Sequence, residues 1–214
     1  VLHGNGRLIL YAALIKVVGF DPSLRNWGIV IGTLDALTHH LYINHVDVVC
    51  PVLNQHKQVR QNSLDIEAAY QLAKAVQAAA KGAQAVFVEV PVGSQNARAM
   101  ASYGICAGIL GALRTQGVPL YELTPTEVKM AAVQKKEASK KQMIAWATQR
   151  HPEANWPTYK SNGKVVLSEA KAEHLADAVA AIYAGIASNS FQQLLSLQTA
   201  NQRENHHADP TQAI

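Results

Sequence analysis

Three carboxylates and one histidine stand at positions where they could share one site. Asp21 ends the apolar run that starts at Val17, Glu89 lies near the end of the apolar run AQAVFVEV, and His174 and Asp177 are three residues apart in AEHLADAVAAI. A charge at the end of a buried strand costs free energy unless a positive group meets it. Carboxylate oxygens are the ligands that Mg²⁺ and Mn²⁺ prefer. Two such ions about 4 Å apart can activate water and stabilise the leaving oxygen of a phosphodiester.

Each of these residues also has a plainer interpretation. Asp21 precedes Pro22, and Asp-Pro commonly opens a turn. Asp177 could be a solvated helix residue, and a lone histidine such as His174 is more often a satisfied polar group than a ligand. The hypothesis of a metal-dependent phosphodiester hydrolase therefore depends on the fold bringing the four residues together.

The elements around these residues predict such a fold. β-branched runs at 15–20, 28–34 and 41–49 indicate an antiparallel meander, and the short runs at 83–90 and 119–123 are typical of parallel strands. Helices are expected at 63–80, 97–116, 126–132, 140–150 and from Ser168, as the N-cap, to about 187. The apolar face expected for the first helix contains Ile66, Tyr70 and Val76, and the segment 151–164, with two prolines and Asn-Gly, is interpreted as a loop. This order predicts an α/β protein with a mixed sheet.

Charge and composition favour a globular protein with a local basic surface. The 214 residues carry a net charge of +4, and the stretch 124–171 contains nine Lys or Arg against four Asp or Glu. Cys50 and Cys106 lie in apolar surroundings without metal-ligand spacing, which predicts reduced core residues. The apolar run 8–20 is interrupted by Lys16 and is too short to span a bilayer, so no membrane partner is expected.

Four segments resemble, in order, motifs of the RuvC Holliday-junction resolvases of the RNase H-like superfamily, across residues 15–187. They are VVGFDPSLRNWG, VFVEVPVGSQNARAMASYG, YELTPTEVKMAAVQKKEASKKQ and AEHLADAVAAI. The resemblance implies an α/β fold with an RNase H-like, mixed five-stranded sheet flanked by helices. It also implies a homodimer that makes symmetric nicks in four-way DNA junctions with two Mg²⁺ ions per active site, or Mn²⁺.

The same resemblance implies roles for individual residues. Asp21, Glu89 and Asp177 match the acids that bind the metal ions, and His174 takes a position where members carry a fourth acid or a histidine. Lys140 is the further catalytic candidate. The residues expected to contact DNA are Lys129, Lys140, Lys136, Asn96, Ser94 and Arg25. Val92 departs from the family, because members often place a bulky residue there.

The expected organisation is an N-terminal extension over 1–14, a nuclease domain over 15–189, and a helical turn with a polar tail over 190–214. The expected compartment is the cytoplasm of a bacterium or a phage-infected cell, with an organelle as the alternative. Two other functions stay open, a relaxed nuclease for flaps and other branched DNA, and a non-catalytic DNA-binding module. The segment GFDPSLRNWG is also similar to the first phosphate loop of actin-like ATPases and sugar kinases, but the second Asp-Gly loop of those enzymes is not evident.

Overall fold

Five strands form the central sheet in the order β3-β2-β1-β4-β5. The structure is a computed structural model that describes residues 14–197 except 55 and 57. β1 (Leu14–Asp21), β2 (Trp27–Asp35) and β3 (Leu41–Val49) are antiparallel neighbours. β4 (Ala85–Glu89) runs parallel to β1, and β5 (Leu120–Leu123) runs parallel to β4. The predicted mixed five-stranded sheet is confirmed.

Helices cover both faces of this sheet, because neighbouring residues of a buried strand point to opposite sides. α1 (Gln61–Ala80) and α2 (Ala97–Thr115) pack on the face that contains Val18 and Phe20. The opposite face, which contains Val17, is covered by α3 (Pro125–Val133), α4 (Lys140–Arg150) and α5 (Glu169–Ile186). The core therefore consists of two apolar layers, one on each side of the sheet.

Two glycines allow α5 to lie directly against the strands. A Cβ at Gly19 of β1 would collide with the carbonyl oxygen of Ala178, and one at Gly28 of β2 would collide with that of His174. Both contacts involve backbone atoms, which cannot move aside as a flexible side chain can. The glycines therefore set the depth at which α5 packs beside the end of β1.

The structure corrects two expectations about secondary structure. The first helix buries Val76 as expected, but Ile66 and Tyr70 are 71% and 62% exposed, and Leu72 is buried in their place. The segment expected to be a loop contains a β-hairpin, formed by β6 (Thr158–Ser161) and β7 (Lys164–Leu167), because its Asn-Gly pair makes a tight turn.

Smaller differences concern single side chains and the C-terminal region. Ser168 occupies the N-cap position of α5, but its side chain forms no capping hydrogen bond. Cys106 is buried as expected, whereas Cys50 is exposed, and both are free cysteines. Residues 189–197 are helical and place Phe191 in the core. The expected N-terminal extension, apart from Leu14, and the tail from 198 to 214 lie outside the described residues.

Within the part of the chain that the structure describes, no helix combines the length and the apolar character needed to cross a bilayer.

Candidate functional site

Two of the acids stand side by side at one edge of the sheet. Asp21 is the last residue of β1 and Glu89 the last residue of β4. The parallel register of these strands ends with the pair Phe20 and Val88, so Asp21 and Glu89 occupy the next position. Neighbouring strands lie about 4.8 Å apart. The sequence prediction that strand ends deliver these two carboxylates together is therefore supported by the register.

α5 brings the other two candidates to the same place. His174 and Asp177 are one turn apart on this helix, and the Nδ1 atom of His174 lies 2.6 Å from Oδ2 of Asp21. Both side chains of this pair are only 16% exposed. Burial alone would lower the pKa of His174, but the hydrogen bond to Asp21 and the surrounding carboxylates outweigh it and raise the pKa. The pair ties the second turn of α5 to the end of β1.

The other two acids carry charges that the fold disfavours. Burial raises the pKa of Glu89 to about 8, and the charges of Asp177 and Asp21 contribute in the same direction. Burial likewise raises the pKa of Asp177 to about 7, with a further contribution from Asp21. Lys129 opposes both shifts. Three carboxylates that interact in this way form one electrostatic unit, and a cation bound among them would be stabilised.

Lys129 and Lys140, which are both expected to contact DNA, lie near these acids because of where two helices begin. α3 begins with a capping box between Thr124 and Glu127, directly after β5, and carries Lys129 in its second turn. Lys140 is the first residue of α4, and its Nζ atom lies 2.8 Å from Oε2 of Glu173. That carboxylate, followed by Asp177 and Asp21, raises the pKa of Lys140.

The remaining DNA-contact candidates lie on exposed segments, and two of them have local structural roles. The side-chain Oδ1 of Asn96 caps α2 by accepting hydrogen bonds from the backbone N–H groups of Arg98 and Ala99. Ser94 Oγ accepts from the backbone N–H of Asn96 at 3.1 Å. Arg25 and Lys136 are exposed. Their contacts with DNA stay predictions, as does the consequence of Val92, which is 87% exposed after β4.

Sequence reasoning missed the position of Glu173. Besides the contact with Lys140, its Oε1 atom lies 3.7 Å from Nε2 of His174. Glu173 therefore connects Lys140 to the pair of His174 and Asp21. Its position directly before His174 is the signal in the sequence that could have identified it.

The donor set fits a divalent metal ion by its chemistry. Its three carboxylates come from three different elements, are partly buried and repel one another. Carboxylates are the ligands that Mg²⁺ and Mn²⁺ prefer. The side chains of the described residues, as they are arranged, contain no group of three or more histidine, cysteine or carboxylate side chains able to hold an ion. Asp21, for instance, is turned toward His174. Glu89 and Asp177, with Asp21, are the ligands that the chemistry favours.

Comparison with known proteins gives likeness only at the level of structure. No family model matches the chain, and no curated protein sequence matches it. Thermus thermophilus RuvC in complex with a Holliday junction substrate is similar with a TM-score of 0.55 and 21% identity, over 79% of this chain and 92% of that chain. A second Thermus thermophilus RuvC structure has a TM-score of 0.55 and 20% identity, over 85% of this chain and 97% of that one. The chain therefore has the RNase H-like fold of the RuvC resolvases.

Proposed function

We propose that this chain is a structure-selective DNA endonuclease that resolves four-way junctions by metal-dependent hydrolysis of phosphodiester bonds, with paired symmetric nicks. The observation that carries the proposal is the meeting of Asp21, Glu89 and Asp177 at one end of the sheet, with Lys129 close enough to lower the pKa of two of them. An acid cluster next to lysines suits a substrate that is an anion and a reaction that needs cations. The RuvC fold, seen elsewhere with a Holliday junction substrate, supports the choice of DNA.

The chemistry of each side chain suits it to a different role in this reaction. Asp21, Glu89 and Asp177 would hold two Mg²⁺ or Mn²⁺ ions, with His174 as the fourth candidate ligand. When bound, such ions supply Lewis-acid stabilisation and an activated water for an in-line displacement. Lys129 and Lys140 are suited to hold the scissile phosphate as point charges. His174 keeps the carboxylate of Asp21 in place through the 2.6 Å contact.

We further propose a homodimer, because two symmetric nicks need two sites. Gly104, Gly108 and Gly111 lie on the exposed side of α2, where an added Cβ would meet nothing within 4 Å. A glycine inside a helix costs about 1 kcal/mol relative to alanine. Three of them on one exposed face, beside the exposed Met100, are explained if a second copy approaches closely there. Light scattering on the purified chain should then give twice the mass of 23.1 kDa.

The proposed compartment is the cytoplasm of a bacterium or of a phage-infected cell. The two free cysteines, Cys50 and Cys106, suit its reducing conditions.

The first test is cleavage of a labelled synthetic four-way junction, with linear duplex, flap and Y-form controls, with and without Mg²⁺. We expect paired nicks in the junction only, and their loss in Asp21→Asn, while the variant still binds the junction. Asp35→Asn is a matched control, because Asp35 pairs with Leu14 at the end of β1 farthest from Asp21, and asparagine keeps the Oδ1 acceptor that the turn uses. Metal-dependent cutting by Asp21→Asn would contradict the proposal. Cutting of every branched form would favour the relaxed nuclease, and binding without cutting would favour the non-catalytic module.

A further inference from the structure

The β6–β7 hairpin is a second, separate sheet that the proposed chemistry does not use. Its strands pair Tyr159 with Val166 and Ser161 with Lys164, and its turn is Asn162-Gly163. Both turn residues have positive φ, at 48° and 76°, as a two-residue turn with left-handed residues requires. The local sequence thus specifies a hairpin of defined register.

This hairpin is fixed at its base. The backbone N–H of Ser168 donates to the carbonyl of Pro157 at 2.8 Å, across the open end of the hairpin. Trp156 packs against the core, and its indole N–H donates to the carbonyl of His151 at 2.8 Å. Leu167, at the end of β7, also packs against the core. The base is therefore attached to the domain immediately before α5 begins.

The two faces of the hairpin differ. Paired strand residues point to the same side, so Tyr159, Ser161, Lys164 and Val166 form one face, which we call the outer face. Lys160 and Val165 lie on the other face, together with the core-packed Leu167. On the outer face Tyr159 is 54% and Val166 39% exposed, and they form a directly opposed pair. Val165 on the other face is 69% exposed, so the two faces of the hairpin differ in the aromatic ring, which only the outer face carries. An isolated two-stranded hairpin is only marginally stable in water, so an exposed tyrosine packed beside a valine on it indicates a bound partner.

Charge and distance select the kind of partner. From 154 to 168 the chain contains two lysines and no Asp or Glu. β7 leads into α5 within two residues, and His174 lies five residues after the first residue of that helix. The chain from Lys164 to His174, extended as far as Ser168 and helical after it, therefore spans no more than about 25 Å. Duplex DNA carries one phosphate per about 1.7 Å of axis, so an arm held at the acids passes many phosphates within that distance.

We propose that the outer face of this hairpin is a DNA-binding surface that holds a duplex arm of the substrate beside the cleavage site. Lys164 contacts a backbone phosphate, and the Tyr159 ring with Val166 packs against the sugar and base edges next to it. The inference rests on the proposed function, since it assumes that DNA is bound at the acid cluster. It adds an anchor for the arm that lies outside the cluster itself.

The test is binding of a fluorescent four-way junction by variants made in the Asp21→Asn background, measured by anisotropy at several salt concentrations. Lys164→Ala should weaken binding about threefold to tenfold and reduce the slope of log K against log salt by about 0.9, the value for one lost phosphate contact. Lys160→Ala is the matched control on the opposite face, and we expect less than a twofold change. Tyr159→Ala should weaken binding about fivefold or more, while Tyr159→Phe keeps the ring and should bind as the parent does.

Several outcomes would overturn the inference. Equal effects of Lys164→Ala and Lys160→Ala would mean that the hairpin contributes only diffuse charge. Unchanged binding in both Lys164→Ala and Tyr159→Ala would remove the hairpin from the DNA surface. A change of molecular mass in Tyr159→Ala, with unchanged DNA affinity, would assign the outer face to contacts between copies. Cleavage of the junction by the wild type is measured in parallel. If the hairpin variants bind DNA as the parent does while the wild type still cuts the junction, only the inference about the hairpin is overturned and the proposed function stands.

Discussion

Replacing Glu89 with glutamine should stabilise the metal-free protein at neutral pH, although the change removes a proposed metal ligand. The pKa of Glu89 is raised from 4.5 to about 8 by burial and by the charges of Asp177 and Asp21. Between these two values the folded protein retains a proton that the unfolded chain has released. The free energy of unfolding of the wild type therefore falls as the pH rises from about 4.5 toward about 8.

The size of the effect follows from the same two values. Neutral pH lies about 2.5 units above the ordinary pKa, and each unit corresponds to about 1.36 kcal/mol, so Glu89 costs roughly 3 kcal/mol at pH 7. At pH 5 the cost is below about 1 kcal/mol. For a chain of this size, 1 kcal/mol shifts Tm by about 2–4 °C. Glu89→Gln should thus melt roughly 6–12 °C above the wild type at pH 7 and close to it at pH 5.

The assay is thermal unfolding in EDTA from pH 5 to pH 8.5, for wild type, Glu89→Gln and the control Glu67→Gln. Glu67 is an exposed carboxylate on α1, so its replacement should change stability by no more than about 0.5 kcal/mol. A wild-type Tm that stays flat over this range, or a Glu89→Gln curve parallel to that of Glu67→Gln, would refute the reasoning. Adding Mg²⁺ should then raise the Tm of the wild type more than that of Glu89→Gln, because an ion that binds the folded state stabilises it.

Two further variants test how the site is held. Glu173→Gln should lower the cleavage rate, because it releases Lys140 from its ion pair. Adding Lys140→Ala to this variant should lower the rate only a little further. If single-turnover rates show that the two losses are fully additive, Glu173 does not act through Lys140. Gly28→Ala should destabilise the protein by about 1–3 kcal/mol and reduce cleavage, because the new methyl group collides with the His174 carbonyl. Gln149→Ala, on the exposed side of α4, is its control and should change stability by no more than about 0.5 kcal/mol; equal melting shifts would exclude the close contact as the cause.

The sequence was sufficient to predict the strands of the sheet and the acids at their ends, because both depend on local patterns of residues. Apolar runs of the right length marked the strands, and a single acid at the end of each of two such runs indicated that they would meet. The exposed Ile66 and Tyr70 show where this reasoning fails. The three-to-four spacing on α1 is correct as a helix signal, but two overlapping stripes fit it. Only packing against the sheet selects the stripe of Leu72, which shares Val76 with the expected one.

Two other features were missed for different physical reasons. Pro152, Pro157 and the Asn-Gly pair together are typical of a loop, and this hides the hairpin, whereas Asn-Gly between Ser161 and Lys164 is itself a hairpin signal. The link from Glu173 to Lys140 joins residues 33 positions apart on two helices, so no sequence spacing reveals it.

The site itself is a consequence of how closely α5 approaches the sheet. Asp21 and Glu89 are fixed by strand register, but His174 and Asp177 reach them only because the α5 backbone touches Gly19 and Gly28. An outward shift of α5 by even the radius of a methyl group would lengthen the 2.6 Å contact of His174 with Asp21 beyond hydrogen-bond range. Such a shift would also separate Asp177 from the charges that raise its pKa. The glycines are therefore as necessary to the acid cluster as the carboxylates, although they carry no chemistry of their own.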